Sequence, residues 1–484
     1  MPKFSLLATP FDQFNSETTK SQIKTEDKIS KFLIPWSNLN SSSRNIDSAI
    51  LARSDHIEFL KALAFDDLPQ QFSALDASRG WMLYWSLGSL DLLGINLDQD
   101  HRIQAIKTIL SFQHPNGGFG GGPGQMAHLA ATYAAILAIT ILLKNANQSL
   151  LDQTWNQINL KNLYNWILDL KLQDGSFLMQ YAGEVDVRAC YCALVIATIC
   201  NFLTPDLVAE IPQYLASCQT YEGGMTTTAI RTPNSLSTQH QSTFNPIAIP
   251  LGEAHGGYAF CAFAAHVLLQ SVPSVSGSFP LDYDAGLRWL SQAQGLPIEG
   301  GGFRGRTNKL VDGCYSWWCA GCFPLLESMI TNRSSDQLQL PDLFDRQALQ
   351  EYILLVSQDQ PPEKIPGGLR DKPDMPPDVY HTLYVLSGLS HAQNYPTLSL
   401  DKIENLKKDY KEPDLTKCII GTKENSSQAI NRMKEIYSNV LGWEVKPEKK
   451  LIIGDPSNAI LPLHPAFNVT LSAAKKAMDY FYHQ

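Results

Sequence analysis

Five times along this 484-residue chain, a helix end carrying Gln runs into a glycine turn, an irregular stretch and then an apolar helix with a Tyr near its start. The copies are Phe112-Gln113, Gly117-Gly118-Phe119 and Tyr133; Leu172-Gln173, Gly175-Ser176-Phe177 and Tyr191; Cys218-Gln219, Gly223-Gly224-Met225 and Tyr258; Gln292 and Gln294, Gly301-Gly302-Phe303 and Tyr315; Ser357-Gln358, Gly367-Gly368-Leu369 and Tyr384. Counted from the last glycine, the Tyr follows after 15, 16, 34, 13 and 16 residues. One such helical hairpin cannot bury its apolar face alone, so neighbouring copies must stack. A first hairpin containing Trp81 and Trp85 brings the count to about six. The array either spirals openly or closes into an α/α barrel. Second helices such as Tyr133–Leu142 and Tyr191–Ile199 are apolar on all sides, which favours closure and an all-α barrel. In a closed ring all inner helices start at one end, and their first turns surround one mouth.

The repeat sets the organisation of the rest. Residues 1–45, rich in Ser, Thr, Asn and Lys, read as a flexible arm, and 46–400 as the barrel. Thr226–Pro250 reads as a surface loop inserted into the third copy. Residues 401–450 carry 11 Lys+Arg and 9 Asp+Glu and read as a solvated insertion; apolar, Pro-containing sequence returns at 451–484 and is expected to dock on the barrel. A net charge of −9 argues against a nucleic-acid surface. The longest apolar stretch, Leu129 to Leu143, is shorter than the ~20 residues of a membrane span. The N-terminus shows no export signal, so nine scattered cysteines read as reduced thiols of a cytoplasmic protein.

Three residues before the repeat Tyr stand Ala130, Arg188, His255, Asp312 and His381. Four of five are titratable or charged, on helices otherwise apolar. Helix capping accounts for Asp186 and Asp378 but poorly for Arg188, His255 and His381, whose positive charge would oppose the helix dipole. Asp312 and Cys314 at one helix start, with His381 from the next copy, offer a carboxylate, a thiolate and an imidazole, a set that suits zinc with one position left open. Cys319-Ala-Gly-Cys322 is a competing metal candidate, and simple packing is its alternative. Arg306 and Lys309, with His255, Arg188 and the Tyr315 hydroxyl, would surround an anion such as diphosphate. The Gly117–Gly124 run lacks a Gly-Lys-Ser/Thr ending and reads as an inter-helix turn. Trp81, Trp85, Tyr133, Tyr191, Tyr258, Phe260, Trp317, Trp318 and Tyr380 fall on or beside inner helices, as core or as an aromatic funnel for a long hydrocarbon.

These residues resemble the β subunits of protein farnesyltransferases, in the protein prenyltransferase β family. The resemblance rests on Asp76–Trp81, Gly117–Gln125, Gly183–Arg188, Glu253–Tyr258, Gly305–Lys309 followed by Leu310–Ser316, Tyr380-His381-Thr382, and Gly454–Tyr482. It implies a heterodimer with an α subunit that moves a farnesyl group from farnesyl diphosphate to the cysteine of a protein ending in a CaaX motif. By that resemblance Asp312, Cys314 and His381 hold Zn²⁺, the substrate thiolate completes the tetrahedron and attacks C1, and His255, Arg306, Lys309 and Tyr315 stabilise the departing diphosphate. Asp371, with Lys372 alongside, resembles a carboxylate that assists Mg²⁺. Trp81, Tyr133, Arg188, Tyr191, Tyr258, Cys261 and Trp318 match the isoprenoid-binding region, with Arg188 near the peptide's C-terminus and Trp85 and Tyr380 on the peptide side. Bulky Trp81 and Tyr191 should floor the funnel at fifteen carbons, favouring farnesyl over geranylgeranyl. The alternatives are a geranylgeranyltransferase type I β subunit, a terpene cyclase on a similar barrel, and a noncatalytic helical scaffold. Asp66-Asp67 lacks the further acids that a cyclase motif needs.

Overall fold

The computed structural model describes residues 14–37, 49–231, 248–275, 281–331, 342–358 and 367–483. Six helical hairpins form a closed ring. The outer helices are Arg53–Phe65, Gln99–Leu110, Leu160–Asp169, Ile211–Ser217, Tyr283–Ser291 and Arg346–Leu355. The inner helices, first to sixth, are Arg79–Leu92, Leu129–Leu143, Val187–Ile199, Gly256–Gln270, the broken pair Tyr315–Trp318 and Cys322–Thr331, and Val379–Asn394. Each inner helix packs on the next, and the sixth packs on the first, which closes the barrel. The second is buried at every position but Ala130, as its uninterrupted apolar sequence requires. Outer helices are amphipathic instead: Leu160–Asp169 buries Leu163, Tyr164, Trp166 and Ile167, and the Asn159 side chain caps it by accepting from Asn162 N–H.

Two parts of the repeat explain the ring. Its Gln amide offers a carbonyl acceptor and an NH2 donor group, and both reach the start of the next outer helix. Gln219 accepts from Asp282 N–H at 2.9 Å and donates to Asp282 O at 2.8 Å, and Gln294 treats Asp345 in the same way at 2.9 Å each. The last copy closes the circle: Gln358 accepts from Ala52 N–H at 3.1 Å and donates to Ile50 O at 2.7 Å, ahead of the first outer helix. The first glycine of each turn (Gly117, Gly175, Gly223, Gly301 and Gly367) has φ between +72° and +108°. A Cβ there would overlap the first turns of the next outer helix, so no other residue fits. In the second copy the structural partner is Lys171 rather than the expected Gln173: Lys171 bridges Phe177 as Gln113 bridges Phe119, and its Nζ donates to Asp206 O at 2.7 Å.

The flanking segments are more ordered than their composition suggests. Within the expected flexible arm, Glu17–Ser37 is a helix that buries Ile29, Leu33 and Trp36, and Gln22 Nε2 donates to Glu299 at 2.9 Å. The boundary at 45/46 lies outside the described residues. The charged 401–450 stretch is not simply solvated. Its helices Leu400–Asp409 and Ser426–Val440 pack on each other, bury Ile403, Met433, Ile436 and Val440, and leave Asp401, Glu404, Lys408 and Asp409 exposed. Amphipathic spacing, hidden by the high charge count, explains the difference. In the third copy, Thr228–Arg231 and Ala248–Leu251 pair as antiparallel strands; the intervening residues of the expected loop lie outside the described set. The C-terminal helix Leu471–Tyr482 packs on the second and third inner helices. The hairpin before it, Leu463–Thr470, enters the lumen from the end opposite the mouth.

Candidate active site

The irregular stretch between glycine turn and inner helix is what places side chains at the mouth. Successive stretches are stitched together: Gly256 N–H donates to Gly305 O and Gly313 N–H to Asp371 O, each at 2.7 Å. Asp312, Cys314 and His381 thereby converge, with one ligand atom from each within 4.8 Å of the others. Asp312 Oδ1 accepts from Cys314 N–H at 2.8 Å and lies 3.4 Å from His381 Nε2. His381 Nδ1 is 2.6 Å from Asp378, which also caps the sixth inner helix through His381 N–H at 2.8 Å. Burial opposes a charge on His381, yet its bonds to Asp312 and Asp378 raise it to about 10. Burial would likewise raise Asp312, but His381 holds its carboxyl below the usual range. Three carboxylates thus draw a positive charge into this corner, the third being Asp371, whose pKa burial and the Asp312 charge lift to about 6. The Asp371 Oδ1 atom is buried with no hydrogen-bond partner, while its other oxygen pairs with Lys372.

This donor set fits a tetrahedral ion of the zinc kind. Ligand atoms on such an ion stand ~3.5 Å apart, so closing by about 1 Å completes three corners, and Asp378 supplies the outer carboxylate that orients a metal-binding His. The Cys319/Cys322 alternative does not form a cluster among the described residues. Both thiols are buried and donate to backbone carbonyls, Cys319 to Arg304 O and Cys322 to Trp318 O, where they mark the break in the fifth inner helix.

Beside this corner stands the cationic rim. His255 does cap its helix, contrary to the sequence expectation: its Nδ1 accepts from Gly257 N–H at 3.1 Å, which a neutral imidazole can do. Burial and the nearby Arg306 charge lower its pKa, consistent with that state. The other nitrogen, Nε2, then carries the proton and donates to Tyr315 Oη at 3.0 Å. Gly305 makes this possible, because a Cβ there would overlap the Tyr315 ring. Arg306 pairs with Glu253, and Arg188 pairs with Asp186 at 2.6 Å while lying 5.9 Å above the Tyr258 ring. Lys309 is exposed on the same turn.

Inside the rim a closed belt of aromatic rings runs around the lumen. Trp81 lies 5.8 Å from Tyr133, Tyr133 5.4 Å from Tyr191, and Tyr191 5.7 Å from Phe260. Phe260 lies 5.5 Å from Trp318, which is 4.4 Å from Tyr384; Tyr380 and Trp85, 5.5 Å apart, return the belt to Trp81. Cys261 is buried within the fourth inner helix, and burial pushes its thiol up. The repeat tyrosines are therefore not equivalent. Tyr258 and Tyr315 open their helices at the rim, while Tyr133, Tyr191 and Tyr384 stand a turn further in. Sequence reasoning gave Asp378 only a capping role and left Tyr384 and Glu253 unassigned. Spacing could have found the first two, since Asp378 is three residues from His381 and Tyr384 is itself a repeat Tyr.

Residues 51–469 match the family described as the prenyltransferase alpha-alpha toroid domain. The chain is 39% identical over 412 residues to the protein farnesyltransferase subunit beta of Pyricularia oryzae, covering 80% of this chain and 73% of that one. It is 33% identical to the same subunit of Schizosaccharomyces pombe, over 97% of this chain and 98% of the relative. Among solved structures, the Candida albicans protein geranylgeranyltransferase-I complexed with GGPP shares the fold, with a TM-score of 0.53 and 21% identity over 80% of this chain and 99% of that one. A predominantly helical toroid, its repeat and relatives matched over most of their length lead to one assignment: the chain belongs to the prenyltransferase toroid family, among the protein farnesyltransferase β subunits.

Proposed function

We propose that this chain is the catalytic β subunit of a cytoplasmic protein farnesyltransferase heterodimer, which transfers a farnesyl group from farnesyl diphosphate to the cysteine of a CaaX-ending protein. The observation that carries the reading is the meeting of Asp312, Cys314 and His381 at the edge of an aromatic-lined lumen. Zinc held by these three residues would keep the substrate thiol as a thiolate at neutral pH. Asp378 fixes the His381 ring, and the Tyr380 hydroxyl, which accepts from Trp318 Nε1 at 3.0 Å, stands beside Cys314.

The rim's task is to accept the charge that gathers on the leaving diphosphate. Gly257 N–H, His255 and Tyr315 form a chain in which each donor faces its acceptor, so the Tyr315 O–H proton is left to donate outward to an anion. Arg306, Lys309 and Arg188 add positive charge on the same side. Asp371, with its unpartnered buried oxygen, is the candidate for a Mg²⁺ ion accompanying the diphosphate. The belt accounts for the lipid: Trp81, Tyr133, Tyr191, Tyr258, Cys261 and Trp318 would hold the isoprenoid, with Trp85 and Tyr380 toward the peptide.

Co-expression with an α subunit tests the reading. A peptide ending Cys-aliphatic-aliphatic-Ser is offered equal farnesyl and geranylgeranyl diphosphates, and mass spectrometry reads the product. Mainly farnesyl thioether is expected. Mainly geranylgeranyl product would move the assignment to the type I geranylgeranyl enzyme, and no thioether from a folded, zinc-loaded heterodimer would overturn it.

A further inference from the structure

A ring of hairpins leaves a lumen that the repeat itself cannot fill, and a segment outside the repeat fills its far half. Leu463–Thr470 folds as a tight hairpin: Leu463 bridges Thr470, His464 N–H donates to Val469 O at 2.8 Å, and Asn468 turns the chain at φ +55°. Its tip offers three consecutive carbonyls to three tyrosines of three inner helices. Tyr191 Oη donates to Ala466 O at 2.9 Å, Tyr133 Oη to Phe467 O at 3.3 Å and Tyr84 Oη to Asn468 O at 3.0 Å. The Tyr133 and Tyr191 hydroxyls also lie 3.1 Å apart. From the sixth inner helix, Ser387 Oγ shares its one proton between Leu383 O and Asn468 Oδ1, each at 2.8 Å. All of these residues are buried.

We propose that this hairpin is the length stop of the isoprenoid funnel, and that Ser387 and Asn468 are positioning residues that set the accepted chain length through Tyr133 and Tyr191. The inference rests on the farnesyl-transfer reading and deepens it. Two rings of the lumen belt, Tyr133 and Tyr191, are tethered by their hydroxyls to the hairpin tip. A bulky ring alone can swing aside for a longer lipid. A tethered one cannot do so without leaving a hydroxyl and a carbonyl unpaired in a dry interior. Selection against the longer chain is therefore a property of the tether as well as of ring size, and Trp81, packed among the rings of Tyr84, Trp85 and Tyr133, supplies the size component.

The test uses the zinc-loaded α/β heterodimer with both diphosphates in competition, together with the two binding affinities read by fluorescence without peptide. Tyr133→Phe/Tyr191→Phe keeps the rings and cuts the tether, and should move both the product ratio and the affinity ratio toward geranylgeranyl by about tenfold. Ser387→Ala releases the Asn468 side chain and a bond within its own helix, to Leu383 O, and leaves both tyrosine tethers in place. It should lower the KM for geranylgeranyl diphosphate about two- to threefold while kcat with farnesyl diphosphate stays unchanged. Where the double variant fails to fold, Ser387→Ala decides alone. Ratios that stay at the wild-type value in every folded variant overturn the length stop while leaving farnesyl transfer standing. A wild-type heterodimer that transfers neither lipid removes the reading beneath it.

Discussion

At the mouth, the side chains that meet belong to successive copies of the repeat: Asp312 and Cys314 from one, His381 and Asp378 from the next, His255 from the one before. At the floor, tyrosines from three inner helices meet the backbone of a hairpin that belongs to no copy. The mouth is polar, largely buried at its Asp312–Cys314–His381 corner, and held by charge. The floor is dry, uncharged and continuous with the core, so its bonds set shape and stability together. The barrel thus gathers ionisable side chains at one end and packs neutral ones near the other.

Removing the metal corner should separate the two regions most sharply. Cys314→Ala is expected to abolish zinc retention and bring turnover to background, while prenyl diphosphate binding and the melting curve persist; elemental analysis and calorimetry measure both, and full zinc content would refute the assignment. Chelation of the wild-type heterodimer should reproduce that pattern. Asp378→Ala should weaken zinc affinity by about 10–100-fold, because His381 loses the carboxylate that orients it; competition with a chromogenic chelator gives the value. Nearer the floor, Trp81→Thr removes a ring from the belt, and relief of ~1–3 kcal/mol of overpacking should shift the product ratio toward the longer lipid by about 5- to 150-fold. An unmoved ratio would put the size limit elsewhere.

Acid should also act at the floor. His464 Nδ1 accepts from Ala466 N–H at 3.2 Å, and its Nε2 meets Val440 O at 2.8 Å, so the neutral tautomer is built into the hairpin. Burial lowers its pKa to about 4. The unfolded chain, with a value near 6.5, binds more protons between those limits. Stability is therefore fully present above pH ~6.5 and falls as pH drops toward 4, by about 3 kcal/mol at most for this group. The melting temperature should decline by a few degrees between pH 7 and 5, and His464→Asn, which keeps an acceptor for Ala466 N–H, should remove part of that decline. The same slope in the variant would show that His56 and His391, also buried and lowered, carry it.

Much of the mouth was legible because it is periodic. Once the repeat tyrosines are aligned, Arg188, His255, Asp312 and His381 fall together, and a buried apolar helix has no cheap reason to carry them. The reading failed where a local alternative fitted equally well: Gln173 stood close enough to the expected position to displace Lys171, and His255 was denied a capping role by treating it as charged. The repeat Tyr also promised an equivalence that the split between rim and lumen does not keep.

By itself the sequence determined the closed all-helical ring, since apolar helices buried on every side and glycines at each turn leave few other solutions. It also brought Asp312 and His381 to matching points of the repeat, with Cys314 two residues on, as a candidate donor set. Only the tertiary structure decided how the lumen ends. The Ala466–Asn468 carbonyls carry no side-chain signature, and backbone groups more than 270 residues distant from their tyrosine partners are invisible to any local pattern. The order of the N-terminal helix and of the 401–450 pair was likewise settled by contacts, because amphipathic faces acquire a side to bury only when the barrel is there to receive them.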